Sequence, residues 1–206
     1  MDAGVIEREN GRPFIRFFTT SGVNYLSLPA AITTNGHVVA VNKFPTGGDG
    51  FLLGHDINYY WHSDPDNRLF TGYTSSSIIN GQVWQNGVAI AGADAKWNTT
   101  LGINSVAPQV PGVETDWDNI GRDRVYHHTN LGGGYSELVV FNTALANMSR
   151  QQLTSNQAAY FSITVNTPVL ANLPADAAYG LRLLTPSYTG NAIEVRRSGD
   201  NASQDI

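Results

Sequence analysis

The sequence predicts an all-β protein: an antiparallel β-sandwich with one short helix and a C-terminal β-rich extension. Runs of strand-forming residues are short and are separated by turn residues, and glycine accounts for 21 of the 206 residues. One late segment free of Gly and Pro fits a helix. Many short strands with a single helix are typical of two packed antiparallel sheets.

The strand pattern is clearest in five segments. Apolar or alternating runs occupy residues 13–18, 23–28, 37–44 and 134–145. Residues 81–92 predict two strands joined at Asn86 and Gly87, because Asn-Gly is the strongest short hairpin signal. The helix is predicted at Asn147–Phe161, where Ser149 and Gln152 fit a capping box.

Composition limits the classes of function. Charged residues make up 14% of the chain, the net charge is −5, and the 12 Lys and Arg residues are scattered, which argues against nucleic acid as a partner. Cysteine is absent, which excludes disulfides and thiol catalysis. No apolar run reaches the roughly 18 residues that span a membrane. Residues 1–10 are charged and mixed, unlike a signal peptide, so a secreted protein would need its signal removed beforehand or another export route.

The chain divides into three parts. Residues 10–162 hold the predicted sandwich, residues 163–178 carry two prolines and read as a linker, and residues 179–206 form a C-terminal β segment. About 28 residues cannot bury a stable core alone, so this last segment needs a partner surface.

Four motifs lie in order along the second half of the sandwich. They are "VWQNGVAI", "DNIGRDR", "GGYSELVVFNTALANMSRQQL" and "QAAYF". Their order and spacing resemble the laminin-G-like branch of the concanavalin A-like lectin/glucanase superfamily. The resemblance covers residues 10–162 and implies a jelly-roll sandwich of two antiparallel sheets.

A different resemblance lies in the C-terminal segment, "YGLRLLTPSYTGNAIEVRRSGDNASQDI". It is similar to the start of the α-L-arabinofuranosidase B catalytic domain, a run that is common in phage structural proteins after a laminin-G-like domain. That enzyme domain is much longer, and none of its active-site residues can be transferred to this chain. The pairing of the two resemblances implies a virion protein.

Aromatic residues beside short polar ones predict a carbohydrate site. Sugar rings stack on aromatic faces while Asp, Asn and His bind their hydroxyl groups. Packing in the core remains the alternative for Trp61, and both readings stay open for Trp117, which lies in a predicted polar loop. The predicted carbohydrate-binding residues are Asp56, Tyr60, Trp61, His62, Trp117, Asp118 and Asn119.

Two other groups are candidate binding residues. Asp64, Asp66 and Asn67 offer clustered oxygen ligands suited to calcium, although the same residues also form ordinary turns. Arg196 and Arg197 are adjacent in the C-terminal segment, so on a strand they face opposite ways and one of them is free to bind a neighbouring chain. Calcium is the only cofactor that the sequence suggests.

No catalytic constellation is predicted. Glu137 has no acidic partner two residues away, Glu114 and Asp116 lie in a predicted loop, and neither a Gly-x-Ser-x-Gly elbow nor a phosphate loop is present. We therefore expect a non-enzymatic structural protein on the surface of a tailed-phage virion: a fibre, spike or capsid-decoration subunit. Its expected partners are other virion proteins or copies of itself in a homo-oligomer, and a host-surface glycan. The alternatives are an extracellular carbohydrate-binding module of a glycan-degrading protein and a cement domain without sugar affinity.

Overall fold

A computed structural model describes the chain at residues 5–17, 25–44, 51–55, 61–62, 68–72, 74–111, 115–121, 133–165 and 183–184. Strands dominate its regular structure, and every strand pair but one is antiparallel. The prediction of the all-β class is therefore confirmed. No helix in this described part of the chain is long and apolar enough to cross a membrane.

The strands form two sheets. The large sheet has the order β1-β2-β11-β4-β9-β7-β8, with β12 paired to β11, and the small sheet has the order β3-β10-β5-β6. In chain order the elements are β1 (Val5–Glu9), β2 (Arg12–Arg16), β3 (Leu26–Ile32), β4 (His37–Lys43), β5 (Phe51–Gly54), β6 (Trp61–His62), α1 (Ser76–Ile79), β7 (Gln82–Gln85), β8 (Val88–Ile90), β9 (Gly102–Ala107), β10 (Trp117–Ile120), β11 (Gly134–Phe141), α2 (Asn147–Phe161) and β12 (Leu183–Leu184).

The two sheets share one hydrophobic core. Val38 and Ala40 of β4 belong to the same buried cluster as Leu53 of β5 and Ile120 of β10. Residues two apart on a strand point to the same face, so one face of the large sheet is covered by the small sheet. This face-to-face packing is the arrangement expected of a sandwich.

The opposite face of the large sheet is covered by α2. Val39 and Val41 of β4 and Ile103 of β9 form a second buried cluster with Ala158 and Phe161 of the helix. The molecule therefore has three layers, the small sheet, the large sheet and α2. This is why β4 is buried from His37 to Asn42 instead of alternating between buried and exposed positions.

Two tight turns of the same type close hairpins. Asn86 and Gly87 have φ values of 48° and 85°, and they join β7 to β8 as predicted. Asn10 and Gly11, with φ values of 49° and 77°, join β1 to β2 in the same way. The second hairpin was not predicted, because Asn10 and Gly11 follow the charged residues Glu7, Arg8 and Glu9 and not an apolar run.

The helix prediction is confirmed at both ends, but its predicted cap is wrong. The residue before α2 is Ala146, and no side-chain hydrogen bond caps the helix. Ser149 lies inside the first turn, since the helix begins three residues earlier than a capping box with Ser149 would require. At the other end Ser162 adopts a left-handed conformation with φ 54°, and Ile163 donates its N–H to the carbonyl oxygen of Ala158 at 2.9 Å.

The described strands and helices extend beyond the predicted sandwich boundary at the N-terminal end. β1 begins at Val5, five residues before the predicted start of the sandwich, and α2 ends at Phe161. Of the predicted linker the structure describes residues 163–165, in which Ile163 and Val165 pack against the helix-side cluster. Of residues 179–206 it describes β12 alone.

Candidate functional site

The predicted carbohydrate residues that the structure describes lie on two strands of the small sheet. Trp61 and His62 form the edge strand β6, where the backbones of Trp61 and Leu53 are paired. Trp117, Asp118 and Asn119 lie on β10, and β5 separates the two strands. Asp56 and Tyr60 lie outside the described residues.

Trp117 does not have the environment that a sugar platform requires. The predicted polar loop is wrong at this position, because Trp117 begins strand β10 and its side chain is 0% exposed. Its Nε1 donates to Oδ1 of Asn35 at 2.9 Å, and Nδ2 of Asn35 donates to the carbonyl oxygens of Thr115 and Ile32. Since a buried amide satisfies the indole N–H, the ring packs wholly in the core and has no exposed face for a sugar.

Next to Trp117, a polar trio links β3 to β10. Oδ1 of Asn119 accepts a hydrogen bond from Oγ of Ser27 at 3.0 Å, and Nδ2 of Asn119 donates to Oδ1 of Asp118 at 2.5 Å. Asn119 is buried, Asp118 is half-buried and Ser27 is exposed. The buried amide thus holds a hydroxyl and a carboxylate at the surface of the small sheet.

The other predicted binding residues lie outside the described part of the chain. They are Asp64, Asp66 and Asn67 for calcium, and Arg196 and Arg197 for docking. Among the residues that are described, no three His, Asp or Glu side chains come close enough together to hold a metal ion. Calcium therefore remains an expectation from the sequence.

A second polar group, which the sequence analysis missed, lies between the large sheet and α2. It consists of His37 on β4, Trp84 on β7, Ser105 on β9 and Arg150 on α2, all of them buried, and we call it the α2 polar cluster. The rings of His37 and Trp84 are stacked with centroids 5.7 Å apart and planes at 10°. The guanidinium carbon of Arg150 lies 4.2 Å from the centroid of the Trp84 ring.

Hydrogen bonds to both ring nitrogens assign the tautomer of His37. Nδ1 accepts the backbone N–H of Leu145 at 3.2 Å, so the proton is on Nε2, which lies 2.7 Å from Oγ of Ser105 and donates to it. Burial, with a smaller contribution from the charge of Arg150, lowers the pKa of His37 to about 4. The ring is therefore neutral at pH 7.

This tautomer rules out a serine nucleophile activated by His37. A general base must accept the hydroxyl proton of serine, whereas Nε2 of His37 already carries a proton and the lone pair of Nδ1 is used by Leu145. Ser105 is also buried, with 1% of its surface exposed. The pair of His37 and Ser105 instead joins β4, β9 and the segment that leads into α2.

Arg150 is the most unusual member of the α2 polar cluster. Its side chain is 4% exposed, and its Nε and Nη1 atoms are buried without a hydrogen-bond partner in the described part of the chain. Burial lowers the pKa of the guanidinium.

Further along the helix, Nε2 of Gln157 donates to Oε2 of Glu137 at 2.7 Å, so the carboxylate of Glu137 has a neutral partner on α2.

The sequence did carry a signal for Arg150. Arg150, Thr154, Ala158 and Phe161 recur at helical spacing, and all four are buried. A charged residue on the apolar stripe of a helix departs from the amphipathic pattern and marks a candidate site. The prediction of α2 rests on the absence of Gly and Pro and on a capping box, so it does not identify Arg150 as part of this stripe.

Comparisons with family models, curated proteins and solved structures find no match to this chain. The assignment of function therefore depends on the residues and contacts described above and on the two sequence resemblances.

Proposed function

We propose that this chain is a non-enzymatic structural protein of a tailed-phage particle: a fibre, spike or capsid-decoration subunit. In this proposal the two sheets form a jelly-roll sandwich of the laminin-G-like type, displayed on the virion surface. The C-terminal segment connects the sandwich to other virion proteins or to further copies in a homo-oligomer.

The observation that carries the proposal is the pairing of β12 with β11. Leu183 and Leu184 pair in parallel with Leu138 and Val139. Leu183 and Leu184 belong to the segment that resembles the arabinofuranosidase domain. Leu138 and Val139 belong to the strand whose sequence resembles the laminin-G-like family. The two segments whose combination is typical of phage structural proteins thus share one sheet.

The position of β12 has a physical reason. β4 occupies one edge of β11, and on the other edge β2 pairs only with Gly134 and Tyr135. The backbone groups further along this second edge belong to residues in the interior of the fold, since Leu138 and Val139 are both buried. Unpaired backbone groups there would be costly, so a strand from the C-terminal segment stabilises this edge.

The motif-bearing segments also take the secondary structure that the laminin-G-like resemblance leads one to expect. "VWQNGVAI" forms the β7–β8 hairpin, Ile120 ends β10, Glu137 lies in β11, and "QAAYF" ends α2. This agreement supports the proposed sandwich at the level of elements.

The proposal includes binding of a host-surface glycan. Trp117 is not part of this proposed glycan site, because its ring is buried. The polar trio of Ser27, Asp118 and Asn119 is the surface that supports it, because hydroxyl and carboxylate groups bind sugar hydroxyls. A glycan array with the full chain tests this part of the proposal, and a blank array would leave the cement role.

Deletion of residues 174–206 tests the connecting role of the C-terminal segment. We expect the truncated chain to be lost from particles and to change in oligomer mass, because the segment that includes β12 is gone. Leu183→Pro is the matched variant in the full chain: proline lacks the N–H group, so the variant weakens the pairing with β11 and keeps the rest of the segment. Unchanged incorporation and unchanged oligomer mass of the deletion variant would refute the connecting role.

A further inference from the structure

The first turn of α2 lacks the caps that usually satisfy a helix N-terminus. The helix follows Ala146, which has no side-chain oxygen, and its first turn contains no acidic residue. The N–H of Arg150 bonds to the carbonyl oxygen of Ala146 at 2.9 Å. The N–H groups of Asn147, Met148 and Ser149 therefore have no acceptor within the described residues, and they carry the positive end of the helix dipole.

An independent observation points to the same place. The side chain of Arg150 is 4% exposed, and its Nε and Nη1 atoms find no acceptor in the described part of the chain. The face of the guanidinium lies on the Trp84 ring, which leaves the N–H groups at its edge as the unsatisfied ones. A buried cation with unsatisfied donors is destabilising unless an anion or acceptor joins it.

The contacts place this guanidinium at the N-terminal end of α2. Side chains on a helix lean toward its N-terminus. Arg150 lies over Trp84, Trp84 is stacked on His37, and Nδ1 of His37 accepts the N–H of Leu145, two residues before the helix begins. The N–H donors of the Arg150 side chain and the free backbone N–H groups of the first turn thus lie at the same end of α2.

We propose that Arg150 and the first turn of α2 bind one oxyanion, a carboxylate or phosphate group. Nε and Nη1 of the guanidinium lie on different edges of its plane, and each offers a charge-assisted N–H donor to such a group, while backbone N–H groups at a helix start add further donors. Asn147, Met148 and Ser149 are exposed, which gives an anion a route from solvent to the first turn. His37 is a positioning residue here: it is stacked on Trp84, and its own N–H is donated to Ser105.

The proposal predicts stabilisation of the full 206-residue chain by inorganic phosphate or acetate at pH 7. Thermal unfolding is measured at constant ionic strength, with sodium chloride as the reference salt. We expect a saturable rise of the unfolding midpoint, about 3–6 °C at a concentration tenfold above Kd, because only the folded chain presents the site. A midpoint that follows the chloride reference would overturn the proposal.

Two variants locate the effect. Arg150→Met keeps an apolar stem on Trp84 but removes the donors, so the anion-dependent rise should disappear. Arg12→Met is the matched control, because Arg12 lies over the Tyr160 ring at 3.9 Å near the other end of the same helix. For Arg12→Met, the anion-dependent rise of the unfolding midpoint should stay within twofold of the rise for the unaltered chain. An Arg150→Met chain with an undiminished rise would contradict the proposal.

A readout on the unaltered chain decides the question even if Arg150→Met does not fold. In a phosphate titration followed by NMR, we expect the amide signals of Met148 and Ser149 and the Nε–H signal of Arg150 to shift together with a single Kd. The Nε–H signal of Arg12 should not follow that curve. Unshifted signals at α2 would overturn the site.

Discussion

His37 is a titratable residue whose side chain is removed from water. It is 0% exposed, it is held by Ser105 and by the N–H of Leu145, and it is stacked on Trp84. A protonated ring could not accept the Leu145 N–H, and it would stand near the charge of Arg150. The neutral imidazole is therefore a condition for the way α2 is joined to the large sheet.

This environment predicts that acid weakens the fold. Burial lowers the pKa of His37 from 6.5 to about 4, so between these values the unfolded chain binds more protons than the folded one. The free energy of unfolding is then highest above pH 6.5 and falls as the pH falls toward 4. The full contribution is about 3 kcal/mol for a shift of this size.

Chemical unfolding of the unaltered chain and of His37→Gln at pH 7 and pH 4.5 measures this contribution. The stability advantage of the unaltered chain should shrink by about 2 kcal/mol at the lower pH, because glutamine does not titrate. Other titrating groups are common to both chains and cancel in the difference. An advantage that is the same at both pH values would show that His37 is not held neutral by the fold.

Trp117 shows where residue-scale reasoning from sequence fails. Its neighbours Asp116, Asp118 and Asn119 are typical of a loop, and they therefore predict a loop at this position. The fold instead provides a buried acceptor from a distant position, since Asn35 binds the indole N–H. A contact between residues 82 positions apart cannot be inferred from local composition. The contact between Arg150 and Trp84 also joins two separate elements, although the burial of Arg150 itself has a signal in the helical spacing.

At the scale of elements, the turns depend on backbone conformations that favour glycine. Gly11 has φ +77° and Gly87 has φ +85°, both in the left-handed region. A side chain at Gly11 would meet no heavy atom within 4 Å, and the same is true of Gly72, for which no such φ is found. The two positions thus differ in backbone conformation and not in the space around them.

A comparison of Gly11 with Gly72 measures the backbone strain of the β1–β2 turn. Gly11→Ala should lower the free energy of unfolding by about 1–2 kcal/mol, the cost of a left-handed conformation for a residue with a Cβ atom. Gly72→Ala should change it by less than about 0.5 kcal/mol. Equal values for the two variants in urea unfolding would contradict the assignment of the β1–β2 turn.

Elements with a strong local signal were predictable. The apolar run of β4 and the Asn-Gly turn at residues 86–87 carry their own structural preference, and α2 is free of Gly and Pro. The helix cap was not predictable in this way, because α2 begins without any side-chain cap. Its start is supported instead by the packing of its buried face and by the bond between Leu145 and His37.

At the scale of the whole molecule, the order of strands lies beyond what the sequence predicts. β11 pairs with β4 on one edge and with β2 and β12 on the other, so its partners come from both ends of the chain. Short runs of apolar residues predict that a strand is buried, but they do not predict which strand lies beside it. The three-layer packing explains why both faces of β4 and β9 had to be apolar or hydrogen-bonded.

The C-terminal segment gives the whole molecule its proposed role. β12 adds a strand to the large sheet, so Leu183 and Leu184 are linked physically to β11. A structural protein of a virion needs both a stable folded body and a segment that connects it to its neighbours. The sandwich and the C-terminal segment correspond to these two requirements.

The most direct test of this account is whether the chain is part of the particle. The proposed function places the gene for this chain in the genome of a tailed phage. Virions of that phage are purified through successive density gradients, and the chain is quantified by mass spectrometry against a major capsid protein. The account predicts a constant ratio of the two proteins through every purification step. A ratio that falls toward zero, with the chain recovered apart from particles, would contradict it.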